Sequence, residues 1–334
     1  IGAGANGSLA GSVSAQAVNG ELSFENLRLS GHTSESYTIT FTAGSVNITS
    51  DIVTLTPAAP SQLTIESQDT TGDAGVQFEP VKLVVRDFSG NLITNANGTV
   101  TAVASGGGAV GIDNSTTQVS TGSLSPKITV GGRTGTYTIT YRVAYGSTVL
   151  SATHDITLGY GQANRIAIVT HPAATGTQTG AAFTPQPQVE VRDQFGNRVP
   201  ISGVTISAVL ESKNSNNDVV QAAVLATEAV GNWTESAQTV EQSLTVPTAV
   251  TDANGRATFD GLGAVGVPGH TYTLRFTADS YASSSPSIGF VLGTANPTEL
   301  YLASQGNAEL VAGVTTFANY EIHLRDRFRN IITG

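Results

Sequence analysis

The sequence predicts an all-β protein, an elongated series of β-sandwich domains, and three observations predict it. The same joint occurs three times, from Leu55 to Leu63, Leu158 to Ile166 and Leu292 to Leu300. Each runs from one apolar residue through a step rich in Pro, Gly, Ala and Asn to another apolar residue eight positions on. Fixed spacing with drifting sequence marks a repeat array in which the geometry between neighbours is held. Between the joints, apolar residues alternate with Ser, Thr and Arg at period two, the pattern of half-buried strands. Helical heptads are missing, and so is any apolar run of about 18 residues, so neither helices nor a membrane-spanning helix is expected.

The strands carry the clearest repeat. Tyr37-Thr38-Ile39-Thr40-Phe41, Tyr137-Thr138-Ile139-Thr140-Tyr141 and Tyr272-Thr273-Leu274-Arg275-Phe276 each place their apolar side chains on one face. Each tyrosine follows a Gly- or Ser-rich turn. That is the position of the corner tyrosine in an immunoglobulin-like sandwich, whose hydroxyl is tied to backbone. A second signature lies near the front of each unit: Val85-Arg86-Asp87-Phe88-Ser89-Gly90-Asn91, Val191-Arg192-Asp193-Gln194-Phe195-Gly196-Asn197 and Leu324-Arg325-Asp326-Arg327-Phe328-Arg329-Asn330. Asp and Asn stay four apart. The spacing fits a turn in which Asp accepts backbone N–H bonds and Gly or Asn takes φ > 0. Arg329 stands where the other two turns have glycine. A third element, Asn254-Gly255-Arg256-Ala257-Thr258-Phe259, carries an Asn-Gly hairpin signal, with a weaker echo at Asn19-Gly20.

Taken in order, Asp-x-x-Gly-Asn, Asn-Gly-x-Ala-x-Phe and Gly-x-Tyr-Thr-Leu resemble the bacterial immunoglobulin-like repeats of the invasin and intimin type. The resemblance covers nearly the whole chain. It implies tandem immunoglobulin-like β-sandwiches forming the extracellular stalk of an adhesin or a similar large surface protein.

Boundaries follow the joints. Residues 1–60 read as the C-terminal part of an immunoglobulin-like domain and 61–160 as a complete one. Residues 161–294 read as a complete domain with an insertion near 210–246, and 295–334 as the N-terminal part of a further domain. The two ends together hold one domain's motifs in order. We therefore expect a window in a longer array, with the split domain completed by chain continuity or by strand donation between molecules.

Composition narrows the function. Charged residues make up 12% of the chain, the net charge is −10, and lysine occurs only at positions 82, 127 and 213. No basic cluster for nucleic acid results, and the acidity favours solubility and weak cation association. Cysteine is absent, so no disulfide contributes. The Gly-x-Gly-x-x-Gly spacings beginning at Gly2, Gly106 and Gly261 open no helical pattern, so they predict no dinucleotide site. The five histidines lie one per region without ligand spacing. Calcium is the remaining cofactor question, because Asp87, Asp193 and Asp326 sit in turns and hard cations want several oxygens. The Asx-turn reading is preferred for all three. Neither an enzyme nor a resident cofactor is expected.

Three functions fit. The first is a structural or adhesive segment of a large extracellular surface protein, in a stalk, filament, sheath or S-layer, working as a semi-rigid spacer. Its partners would be other copies of itself or neighbouring repeats. The second is a carbohydrate- or protein-binding module that uses the inserted loop, with Trp233, Asn216 and Asp218 as the candidate contacts for surface glycans or a host protein. The third is an accessory array attached to a secreted enzyme.

Overall fold

The computed structural model describes residues 6–95, 98–113, 122–212, 224–226, 247–305, 312–313 and 320–333. The protein is all-β, and the single helical element among the described residues is the 3-10 turn Ser105–Gly107. Two compact units result, Ile1–Gly159 and Tyr160–Gly334.

Within the first unit, strands Gln62–Ser67, Lys82–Arg86 and Ser123–Leu124 form a three-stranded sheet. The facing sheet has the order Thr99–Ala104, Gly135–Tyr145, Thr148–Gly159, Thr71–Asp73. Its last pair is parallel. A short front strand that switches sheets to run parallel with the final strand is the mark of an immunoglobulin-like sandwich. Period-two patterning builds the core: along Gly135–Tyr145, Tyr137, Ile139, Tyr141 and Val143 are buried while the residues between them are not. In the opposite sheet Leu63, Leu83 and Val85 are buried as well.

The second unit repeats the plan. Strands Ala163–Thr170, Gln188–Asp193 and Arg256–Thr258 form one sheet. The other runs Thr177–Gln178, Phe290–Gly293, Thr271–Thr277, Thr205–Ser212, Thr248–Val250, and its first pair is again parallel. Ile166, Val189 and Val191 share one core with Tyr272, Leu274 and Phe276. Each such side chain contributes about 1.5–3 kcal/mol by burial, so this core is the main source of the unit's stability.

All three corner tyrosines tie their hydroxyls to backbone. Tyr137 Oη donates to Arg133 O at 2.7 Å. Tyr272 Oη donates to Val267 O at 3.2 Å and accepts from Val267 N at 2.8 Å. Tyr37 Oη treats His32 the same way, at 3.1 and 2.7 Å.

The Asn254-Gly255 signal needs correcting. A tight turn does form there, with Gly255 N donating to Asp252 O at 3.0 Å and Asp252 N to Arg256 O at 2.7 Å. Its flanking strands are no hairpin, however: Thr248–Val250 pairs with Thr205–Ser212, whereas Arg256–Thr258 pairs with Gln188–Asp193 in the other sheet. The turn is a corner between the layers. The weaker echo is the true two-residue hairpin turn. Asn19 and Gly20 both have positive φ, at 53° and 84°, and Val18 and Glu21 exchange both backbone bonds.

Candidate functional site

The feature that recurs with fixed chemistry is the Asp turn, and it does more than close a turn. In each copy the Asp N–H donates to the Asn carbonyl four residues on, at 3.0 Å for Asp87, 2.9 Å for Asp193 and 3.0 Å for Asp326. The residue before Asn adopts a left-handed conformation, with φ of 84° at Gly90, 85° at Gly196 and 67° at Arg329. That explains the glycines of the first two turns, and it means Arg329 holds the same shape against the Cβ penalty of about 1–2 kcal/mol. Gly90 has open space where a Cβ would project. A Gly90→Arg substitution should therefore cost only the conformational term, a loss of about 1 kcal/mol in urea unfolding. A loss several times larger would show that Gly90 is needed for space.

The carboxylates are buried: Asp87 is 1% exposed, Asp193 and Asp326 0%. Oδ1 of Asp87 accepts from Ser89 N and Asn91 N, both at 2.9 Å. Oδ1 of Asp193 accepts from Phe195 N at 2.9 Å and Asn197 N at 2.8 Å. Oδ1 of Asp326 accepts from Phe328 N and Asn330 N at 2.9 Å. Every Oδ2 takes the Asn side-chain amide, at 3.0, 2.8 and 3.1 Å in turn.

The fourth bond leaves the turn altogether. Oδ2 of Asp87 accepts from Ala58 N at 2.9 Å, that of Asp193 from Gly161 N at 2.7 Å, and that of Asp326 from Ala295 N at 3.1 Å. Ala58, Gly161 and Ala295 are the joint residues. Each domain thus grips the peptide that enters it through a carboxylate saturated by four N–H donors. The joint between residues 6–60 and the sandwich after it gains a second tie. Asn91 Nδ2 donates to Gly31 O at 2.9 Å, and Thr33 N donates to Asn91 Oδ1 at 2.8 Å. Gly31 and Thr33 flank His32, which the corner tyrosine Tyr37 holds, so one chain of bonds runs from a corner through Asn91 and Asp87 to the joint.

Burial opposes the charge on Asp87, but the Asn91 side chain and the amides of Ala58, Asn91 and Ser89 more than offset it, holding the carboxyl below its ordinary value. Burial likewise opposes ionisation of Asp193, and the Gly161 amide leads the groups that reverse it. A carboxylate has about four lone-pair sites. With all four receiving N–H groups, a calcium ion could be ligated at Asp87, Asp193 or Asp326 only by breaking those bonds.

Sequence reasoning read these residues as turn formers and missed the joint bond. A signal was available: the joint donor and the Asp lie 29, 32 and 31 residues apart, so the two motifs travel together. The candidate loop contacts Trp233, Asn216 and Asp218 lie outside the described residues. Of the histidines, His154 stacks on Tyr141 with centroids 5.6 Å apart, and His323 pairs with Glu321 at 2.8 Å. Among the described residues no three His, Cys, Asp or Glu side chains converge as a metal site would require, and no helix is long and apolar enough to cross a membrane.

No family model and no curated protein matches the sequence. Solved structures do resemble it. Domains 4 and 5 of the S-layer protein SbsC are 15% identical over 40% of this chain and 62% of theirs, with a TM-score of 0.24. For SbsC domains 4–9 the figures are 15%, 81% and 37%, with a TM-score of 0.26. The fibronectin(III)-like modules of Clostridium thermocellum CbhA are 10% identical over 70% of this chain and 95% of theirs, with a TM-score of 0.20. The chain thus spans less than two thirds of either SbsC structure. At such identities and scores these likenesses do not choose among functions.

Proposed function

We propose that this chain is a structural segment of a large surface protein, a row of immunoglobulin-like domains that holds other parts at a distance. The supporting observation is the buried carboxylate that takes up a joint amide at Ala58, Gly161 and Ala295. A linker needed only for connection would not keep a four-donor acceptor at each of three joints while the surrounding sequence drifts. Removing a joint's freedom makes sense where reach matters, because a floppy joint shortens the mean span of an array. The invasin and intimin type of stalk is one version of this reading, an S-layer or filament element another. In each, the chain lies outside the cell, its neighbours are similar domains, and it carries out no turnover.

The test is single-particle imaging of the chain beside an Asp87→Asn, Asp193→Asn double variant. The parent should show a narrow distribution of inter-domain angles and an elongated outline on the order of 100 Å, as sandwiches of roughly 25–35 Å in series require. The variant should show a broader distribution at unchanged strand content. A parent already as broad as the variant would sink the spacer reading.

A further inference from the structure

Among the described residues, two apolar faces lack the layer that covers their counterparts elsewhere in the same chain. The hairpin Pro297–Ser304/Glu321–Asp326 is built like Ala163–Thr170/Gln188–Asp193. Leu300 faces Leu324 and Leu302 faces Ile322, as Ile166 faces Val191 and Ile168 faces Val189. Register shifts fall at Pro297/Glu299 and Leu302/Ser304 in one, at Ala163/Arg165 and Ile168/Thr170 in the other. Yet Ile166, Val189 and Val191 are core, whereas Leu300 is 72% exposed and Ile322 59%.

The other face belongs to residues 8–54. Their ladders are two-stranded, and Phe41 pairs with Ile48 and Ala43 with Val46. Tyr37, Ile39 and Phe41 hold the motif positions of Tyr272, Leu274 and Phe276, which pack on Ile166 and Val191 in the closed sandwich. Here an open trough of about 620 Å³ lies instead, lined by Leu22, Phe24, Ile39, Phe41, Val46 and Ile48. Val46 and Ile48 are each 71% exposed. Contiguous apolar patches of this kind mark interaction surfaces.

We propose that the trough of residues 8–54 receives the Pro297–Ser304/Glu321–Asp326 hairpin of a second copy of this chain, so that copies join head to tail and rebuild an immunoglobulin-like sandwich at each junction. The occupant is specified by equivalence, because this hairpin has the register and apolar pairs of Ala163–Thr170/Gln188–Asp193, which share one core with the matching corner strand at residues 271–277. A heterologous contact of this sort links copies into a ring if its rotation closes and into a filament if it does not. The inference goes beyond the spacer reading and does not rest on it.

The experiment is sedimentation velocity on the whole chain from ~1 to ~300 μM, a range that brackets weak and moderate association. The parent should shift from 34.2 kDa to a ladder of multiples. Ile48→Glu and Leu300→Glu alter side chains that are exposed in the single chain, so each should keep the parent's circular dichroism and melting. Each alone should stay at one chain at every concentration. Mixed in equal amounts, they should form a dimer and stop there, because one supplies an intact hairpin and the other an intact trough. A parent of 34.2 kDa throughout, assembly that survives either substitution, or a mixture that stays monomeric would each overturn the proposal.

Discussion

Replacing Asp193 by alanine is expected to lower the stability of the Tyr160–Gly334 unit by about 3–5 kcal/mol in denaturant unfolding. The substitution leaves Phe195 N, Asn197 N, Asn197 Nδ2 and Gly161 N without their acceptor. A buried donor left unsatisfied costs about 1–3 kcal/mol, and water reaching part of the turn trims the sum. Asparagine separates the two jobs of this residue. Its carbonyl oxygen can keep the two turn amides, but its NH₂ then faces Gly161 N and Asn197 Nδ2, donor against donor. Asp193→Asn should therefore unfold with a loss of about 1–3 kcal/mol while freeing the joint fully. If asparagine costs nothing while alanine costs the full amount, the carboxylate is a turn former only.

Acid tests the same site without mutation. The folded-state pKa values of Asp87 and Asp193 lie below their ordinary range. Their contribution is thus present above the unfolded value of about 3.9 and is lost as pH falls through the lower folded value. Joint stiffness should be constant from neutral pH to about 5 and fall only in stronger acid.

The strands and the class of fold were legible because burial imposes a period of two that local reading detects directly. Tyr137, Ile139 and Tyr141 alternate inward just as their spacing indicates. The corner tyrosines were legible for a similar reason, since each hydroxyl finds its partner within five residues. What escaped was long in sequence. The bond from Asp193 to Gly161 spans 32 residues, and no local propensity announces it. The pairing of each strand beside Asn254-Gly255 is also decided at a distance, by Thr205–Ser212 on one side and Gln188–Asp193 on the other.

That difference gives the two Asn-Gly pairs, alike in sequence, unequal consequences. At Gly20, φ is +84° and a Cβ would meet nothing, so Gly20→Ala should cost only the left-handed term, about 1 kcal/mol. Gly255 also has positive φ, +74°, but a Cβ there would run into the carbonyl oxygen of Val199. The crowding follows from the corner. Gly255 O accepts from Val191 N at 3.0 Å, and Val199 N donates to Val191 O at 2.9 Å, so residues 191, 199 and 255 are stitched together where the chain passes between layers. Backbone cannot swing aside as a flexible side chain would. Gly255→Ala should therefore add an overpacking cost of about 1–3 kcal/mol to the conformational one, for a loss near 3 kcal/mol. Unfolding midpoints of the two alanine variants, read against the parent at equal m-values, decide the matter. Equal losses would mean that the turn at 252–255 is the free hairpin its sequence suggests, and that the corner between the layers is not where the structure puts it.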